Sequence, residues 1–300
     1  MKKLITILLI ASFSGSATAQ ITITNADMPN TGDTLRVSEA SVLTPVDLTL
    51  TGANYTWDFS GLLPVAQDVD TFVTVGSTPT LLAIYFVNLS INTNRANIAA
   101  LGTNNPLAAQ LPVSDVYSFF YENSSLFQQV GFGATIGGTA VPLGYGNKDI
   151  IYNFPLDFND QDSSVSDYSL SVPGTIYAEG NQKRVNFVDG WGSLTTPYGT
   201  FNALRVLSTL TGQDSVYLDS TATGFSTARP LIREYKWLAN GERIPVLQIN
   251  TAEVFGVEAI SSIRYRDSLR VNVGLPSFSV LNPILFFVPI QIQARMFLQL

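Results

Sequence analysis

The sequence predicts an all-β protein. Its strands read as an antiparallel meander forming a curved sheet or half-barrel with one or two short helices, with a β-sandwich as the alternative packing. Three observations carry this. Apolar residues recur with period two along most of the chain, the signature of strands with one buried face. Short clusters of Gly, Pro, Asn and Asp separate these runs, which favours antiparallel neighbours. There is no Cys, so the apolar faces must hold the fold without disulfides.

The opening "MKKLITILLIASFSGSATAQ" is expected to be a signal peptide over residues 1–19. Lys2 and Lys3 form the positive region, Leu4 to Phe13 the apolar region, and Ala17-Thr18-Ala19 the cleavage site before Gln20. The secretion machinery is therefore an expected partner. No Cys follows to carry a lipid. Residues 20–270 read as one secreted β-rich domain, and 271–300 as a linker and apolar tail.

Within the domain, strands are expected at "ITIT", "TLRVS", "YTWDF" and "DVYSFFY". Tyr55, Trp57 and Phe59 share one face, as do Tyr117, Phe119 and Tyr121. "DIIYNFPLDF" places Ile150, Tyr152, Phe154, Leu156 and Phe158 together, with Pro155 marking an edge, a bulge or a strand end. Further strands are expected at "YSLSV", "RVNFV", "ALRVLSTLT", "SVYLD", "IREYKWL" and "IPVLQI". Turns are expected at "PNTGD", "DFNDQDSS", "AEGNQK" and "ANGE". "STPTLLAIYF" interrupts the pattern. Ser77 or Thr78 can cap a helix with Pro79 at its first position, and Leu81, Leu82 and Tyr85 fall at helical spacing. A second short helix is expected at "TNRANIAAL".

Composition excludes several function classes. The formal net charge is −7, and losing Lys2 and Lys3 makes the mature chain more acidic still. Phosphate binding needs clustered Lys and Arg, so nucleic acid is not an expected partner. There is no His, which removes Ser-His-Asp catalysis and His-based zinc sites. No cofactor motif is present: the glycines near residue 190 lack the strand-GxGxxG-helix context, and no GK[ST] occurs.

Three constellations are candidates for chemistry. "DGWGSLTTPYGTFNALRV" offers Trp191 and Tyr198 as a ligand loop, although Pro197-Tyr198-Gly199 is also ordinary tight-turn chemistry. "DFNDQDSSVSD" gathers Asp157, Asp160 and Asp162 as metal candidates. The spacing lacks the Gly and terminal Glu of an EF-hand, so a solvated turn accounts for it better. Trp57, Trp191 and Trp237 are candidates for a sugar platform, although aromatics at alternate strand positions usually pack in cores. No catalytic residue is identified.

The stretches "MPNTGDTLRVS", "GANYTWDFSGL", "VDGWGSLTTPYGTFNALRV" and "REYKWLANGERIPVLQIN" resemble a family of uncharacterised secreted proteins of the Bacteroidetes. The resemblance implies export, and a C-terminal sorting domain for type IX secretion that opens with a YPNP-like motif. This chain lacks that motif and has no room for a complete sorting domain. The resemblance also implies O-glycosylation at Asp-Ser/Thr-aliphatic tripeptides, which here points to Thr34, Ser215, Ser220 and Ser268.

The tail "LNPILFFVPIQIQARMFLQL" is too interrupted by Pro283, Pro289, Gln291, Gln293 and Arg295 to span a membrane as a helix. It alternates like a terminal strand. Read one frame over, "VPIQIQARMF" permits "YPNPS", so the tail is also readable as a frameshifted sorting-domain remnant. On the frameshift reading the expected destination of this chain is the periplasm, against the cell surface or the outside of the cell for the intact family. The function expected is a binding module for glycan or protein. A carrier of an apolar small molecule in a half-barrel is the alternative, and a carboxylate-based glycoside hydrolase the third reading.

Overall fold

A computed structural model describes residues 20–102, 113–172, 176–218 and 222–270. The expected signal peptide over 1–19, the tail from 271 with its expected shifted-frame segment, and Ser220 lie outside the described residues.

The strands are β1 (Thr34–Ala40), β2 (Gly52–Asp58), β3 (Pro64–Val73), β4 (Ile98–Leu101), β5 (Val113–Asn123), β6 (Leu126–Ile136) and β7 (Thr139–Asn153). They continue as β8 (Gln161–Val172), β9 (Ile176–Thr196), β10 (Gly199–Leu218), β11 (Thr223–Ala228), β12 (Leu231–Leu238), β13 (Leu247–Val254) and β14 (Val257–Arg266). The all-β class is as expected. The curl goes further than a half-barrel: the sheet closes on itself. From β10 the ring runs β12, β13, β14, β1, β3, β4, β5, β6, β7, β8 and β9, and β9 pairs back to β10. Every pairing in this twelve-stranded ring is antiparallel. The closure is thin in two places, where β3 meets β4 over three residue pairs and β7 meets β8 at Tyr145–Tyr168.

Two strands lie beside the ring. β11 continues the line of β12 past Arg229 and Pro230 and pairs with the far half of β10. β2 runs parallel to the C-terminal half of β9. Gly192 makes that approach feasible. Its φ is +152°, and a Cβ there would lie 2.0 Å from the Tyr55 carbonyl oxygen. The "GWG" glycines are thus strand residues, while Pro197-Tyr198-Gly199 does form the β9–β10 turn.

Along β8 the buried side chains of Ser166 and Tyr168 alternate with exposed Val165 and Ser169. Inner positions of neighbouring strands face one another: Asp162 opposes Asn186, and Ser208 opposes both Asn186 and Glu234. On β12, Glu234, Lys236 and Leu238 point into the lumen. Tyr235 and Trp237 point outward, into a cluster with Trp57, Leu62, Leu247, Ile249 and Tyr265. The segment between β1 and β3 therefore covers the outer wall of β12–β14, and β12 is buried on both faces. Val46 and Leu48 pack on the same cluster.

A second apolar cluster forms the floor of the barrel. Ile21, Ile23 and Met28 of the N-terminal segment pack there against Phe127, Tyr152, Leu156, Val206 and Leu238. "ITIT" is thus a plug joined to the wall by one bridge, Ile23 to Leu156, rather than a full strand. Asp27 fastens it by accepting from the Gly241 amide at 2.8 Å and from Asn240 at 3.1 Å. Arg243 donates to the carbonyls of Ala26 and Met28.

Three local expectations differ. Helix α1 (Thr80–Tyr85) forms, but Leu82 and Phe86 are its buried contacts, while Leu81 and Tyr85 are exposed. No second helix forms at "TNRANIAAL". Asn92 donates to the carbonyls of Tyr85 and Val87, and Ile98–Leu101 pairs with β3 and β5 instead. "AEGNQK" is no turn but the middle of β9. Gly180 is needed there because a Cβ would lie 2.5 Å from both Asp214 and Tyr168.

Candidate functional site

The barrel encloses a cavity of about 300 Å³ directly above the plug. One side is apolar: Phe72, Phe120, Phe127, Ile151, Tyr152 and Leu238. Alternation along β3, β5, β6 and β12 turns these residues inward, and the aromatic rings form a stack. Phe120 and Phe127 lie 5.1 Å apart with their planes 8° apart, and Phe127 and Tyr152 are 6.4 Å apart at 22°.

The other side is polar and charged. Arg184 bonds both oxygens of Asp149, at 2.9 and 2.8 Å, and reaches Glu234 at 2.9 Å. Lys236 meets the same Glu234 oxygen at 2.8 Å and lies 5.1 Å from the centre of the Tyr152 ring. Burial alone pushes the Glu234 carboxyl up. Lys236 and Arg184 outweigh it and hold the group at about 2. Glu234 in turn raises both partners above their ordinary values, against the burial that opposes their charge. Buried ions persist when each is paired and hydrogen-bonded in this way. Arg264 bonds Asp70 at 2.9 Å on the opposite wall. Gln129 and Gln248 add neutral polar groups.

The residues expected to bind ligand are distributed differently. Trp57 and Trp237 are 2% and 0% exposed and pack edge to face, 6.0 Å apart, in the outer cluster. Neither offers a ring face to a ligand. Trp191 packs against the floor cluster. Tyr198 remains partly open at the β9–β10 turn, stacked on Phe201 with the Arg266 guanidinium 5.4 Å from its ring centre. Trp57 and Trp237 thus follow the core reading of alternating aromatics rather than the sugar-platform one.

The aspartates are used by the chain itself. Asp157 accepts from Thr22, Asp160 from the Asp157 amide, and Asp162 from Asn153 and Asn186. No group of three or more His, Cys, Asp or Glu that could hold a metal ion occurs among the described residues. Of the O-glycosylation candidates, Thr34 and Ser268 are exposed, and Ser215 is half-buried and bonded to Ser226.

Sequence reasoning missed the lumen. It placed a strand at "IREYKWL" but gave Glu234 and Lys236 no role. The available signal was a pair of opposite charges two apart on a strand, matched by Arg184 two strands away. No helix among the described residues is long and apolar enough to cross a membrane. No family model matches the chain, and neither a curated protein nor a solved structure matches it.

Proposed function

We propose that this protein is an exported carrier that holds a compact small molecule in the lumen of its barrel. The cavity of about 300 Å³ carries this reading. That volume lies at the lower end of ligand sites, which span roughly 300–1,000 Å³ and combine an apolar lining with a few fixed polar groups. Large barrels enclose ligand cavities for geometric reasons, since side chains no longer fill the interior. The outer wall supports a protein working in water: outward positions on β8 and β9 carry Ser163, Asp167, Glu179, Asn181 and Lys183, unlike the apolar band of a lipid-facing barrel.

The hydrolase reading loses support. A general acid needs a raised pKa, whereas the Glu234 carboxyl is held low and Asp70 is ion-paired. The binding-module reading keeps one observation in its favour. Leu81, Ile84, Leu89 and Ile91 form an exposed apolar run on α1 and the loop after it. Such a run suits contact with another protein.

Thermal-shift screening with apolar small molecules and with glycans separates these readings. Apolar molecules should raise the melting temperature of the wild type. Phe120→Trp, which fills the cavity, should abolish the shift while leaving the circular dichroism unchanged. No shift with any apolar molecule, or a shift that survives Phe120→Trp, overturns the lumen carrier.

A further inference from the structure

The chain is acidic, yet the cavity lining is not. Among its lining residues, four basic side chains (Arg184, Lys236, Arg243 and Arg264) face three acidic ones (Asp27, Asp70 and Glu234). Over the whole sequence the balance is reversed, 16 basic against 23 acidic. Counting Asp149, which holds Arg184 in the same polar group, the lumen sets four cations against four carboxylates and is balanced where the chain as a whole is acidic.

Three of the four are matched. Arg184 is held by Asp149 and Glu234, Lys236 by Glu234, and Arg264 by Asp70. Arg243 is different. It reaches the cavity from the loop between β12 and β13 and, among the described residues, donates to the carbonyls of Ala26 and Met28. No carboxylate forms a salt bridge with it among the described residues. Asp27, next in the chain to Ala26, is engaged by the Gly241 amide, the Asn240 side chain and the Thr24 amide. Glu122 feels the Arg243 charge without pairing to it, and burial, the larger effect, pushes its carboxyl up.

We infer that the lumen ligand is a small amphipathic monoanion, its carboxylate or equivalent acid group set at Arg243 and its apolar body lying along the Phe72–Phe120–Phe127 wall. This rests on the carrier reading and specifies its ligand. The guanidinium offers a fork of donors, of which one nitrogen is engaged by the plug carbonyls. A carboxylate accepts the remaining donors in charge-assisted bonds, roughly twice as strong as neutral ones. The site needs no rearrangement of the Arg184–Glu234–Lys236 group, which stays closed on itself and forms a rigid polar wall.

The test uses octanoate, octan-1-ol and octyltrimethylammonium, which share one apolar body and differ in the head. Affinities are measured by calorimetry on the purified protein. Octanoate should bind at least about tenfold more tightly than octan-1-ol, the scale of one charge-assisted bond, and octyltrimethylammonium more weakly than both. Arg243→Met should bring octanoate down to the octan-1-ol level and leave octan-1-ol unchanged, while Arg243→Lys should keep a preference for the anion. Equal binding of octanoate and octan-1-ol by the wild type overturns the anion inference and leaves the carrier intact. Failure of all three to bind counts against the carrier itself. The wild-type comparison needs no variant, so misfolding of Arg243→Met cannot mask the answer.

Discussion

At the scale of the residue, the lumen is ruled by Glu234. It is a half-buried acid bonded to two cations, and its ionised form is favoured because Lys236 and Arg184 outweigh the cost of burial. Its folded pKa, about 2, lies below its ordinary value of 4.5. Such a group stabilises the fold above the ordinary value, and the contribution fades as pH falls from 4.5 through 2. Urea unfolding of the wild type should therefore weaken across that window, and Glu234→Gln should flatten the loss while lowering stability at pH 7. An unchanged profile in the variant would remove Glu234 from this role. Asp149→Ala leaves the Arg184 guanidinium without its bidentate partner. It should cost about 3–5 kcal/mol, the usual result of breaking a buried pair by removing one partner. None of this group was legible in advance, because a charged residue on an alternating strand reads as solvent-facing. That inference fails where both faces of a strand are covered, as on β12.

At the scale of the element, the sequence was legible wherever one face alone was buried. Tyr55, Trp57 and Phe59 do share the outer cluster, and Tyr117, Phe119 and Tyr121 pack together around α1. Tyr152, Phe154, Leu156 and Phe158 meet the floor, with β7 ending two residues before Pro155; Ile150, expected on that face, does not, and Ile151 does instead, because the register slips there. What misled was glycine. Gly180 reads as part of a turn and Gly190 and Gly192 as turns or bulges; all three sit in β9, where another chain segment or side chain comes too close for a Cβ, and the register does slip beside Gly190. Gly192→Ala tests this. With the Tyr55 backbone 2.0 Å from the added carbon and φ at +152°, the variant should lose about 1–3 kcal/mol. Hydrogen exchange should quicken first along β2. Protection of β2 equal to wild type would show that the close approach is not required.

At the scale of the whole molecule, a twelve-stranded wall is closed below by a plug that belongs to the same chain. Asp27 joins that plug to the loop after β12 through neutral donors. Asp27→Ala orphans the Gly241 amide and should cost about 1–3 kcal/mol. It should also loosen Ile21 and Ile23, seen as faster exchange of the Ile23 and Leu156 amides, which bond each other's carbonyls. Exchange at wild-type rates would mean the apolar floor holds the plug unaided. The ring has a further property that no single element reveals. Apart from the short detours through β2 and β11, each strand pairs with its successor in the chain, so nearly all of the wall assembles from local hairpins. The exception is the seam between β1 and β14, four residue pairs from Val37–Arg266 to Ala40–Ile263. The wall can therefore zip up strand by strand, but it becomes a vessel only when its first and last strands meet. In a chain made from its N-terminus, every ring pairing that does not involve β14 is available before that one, because β14 is the last strand of the ring to be made.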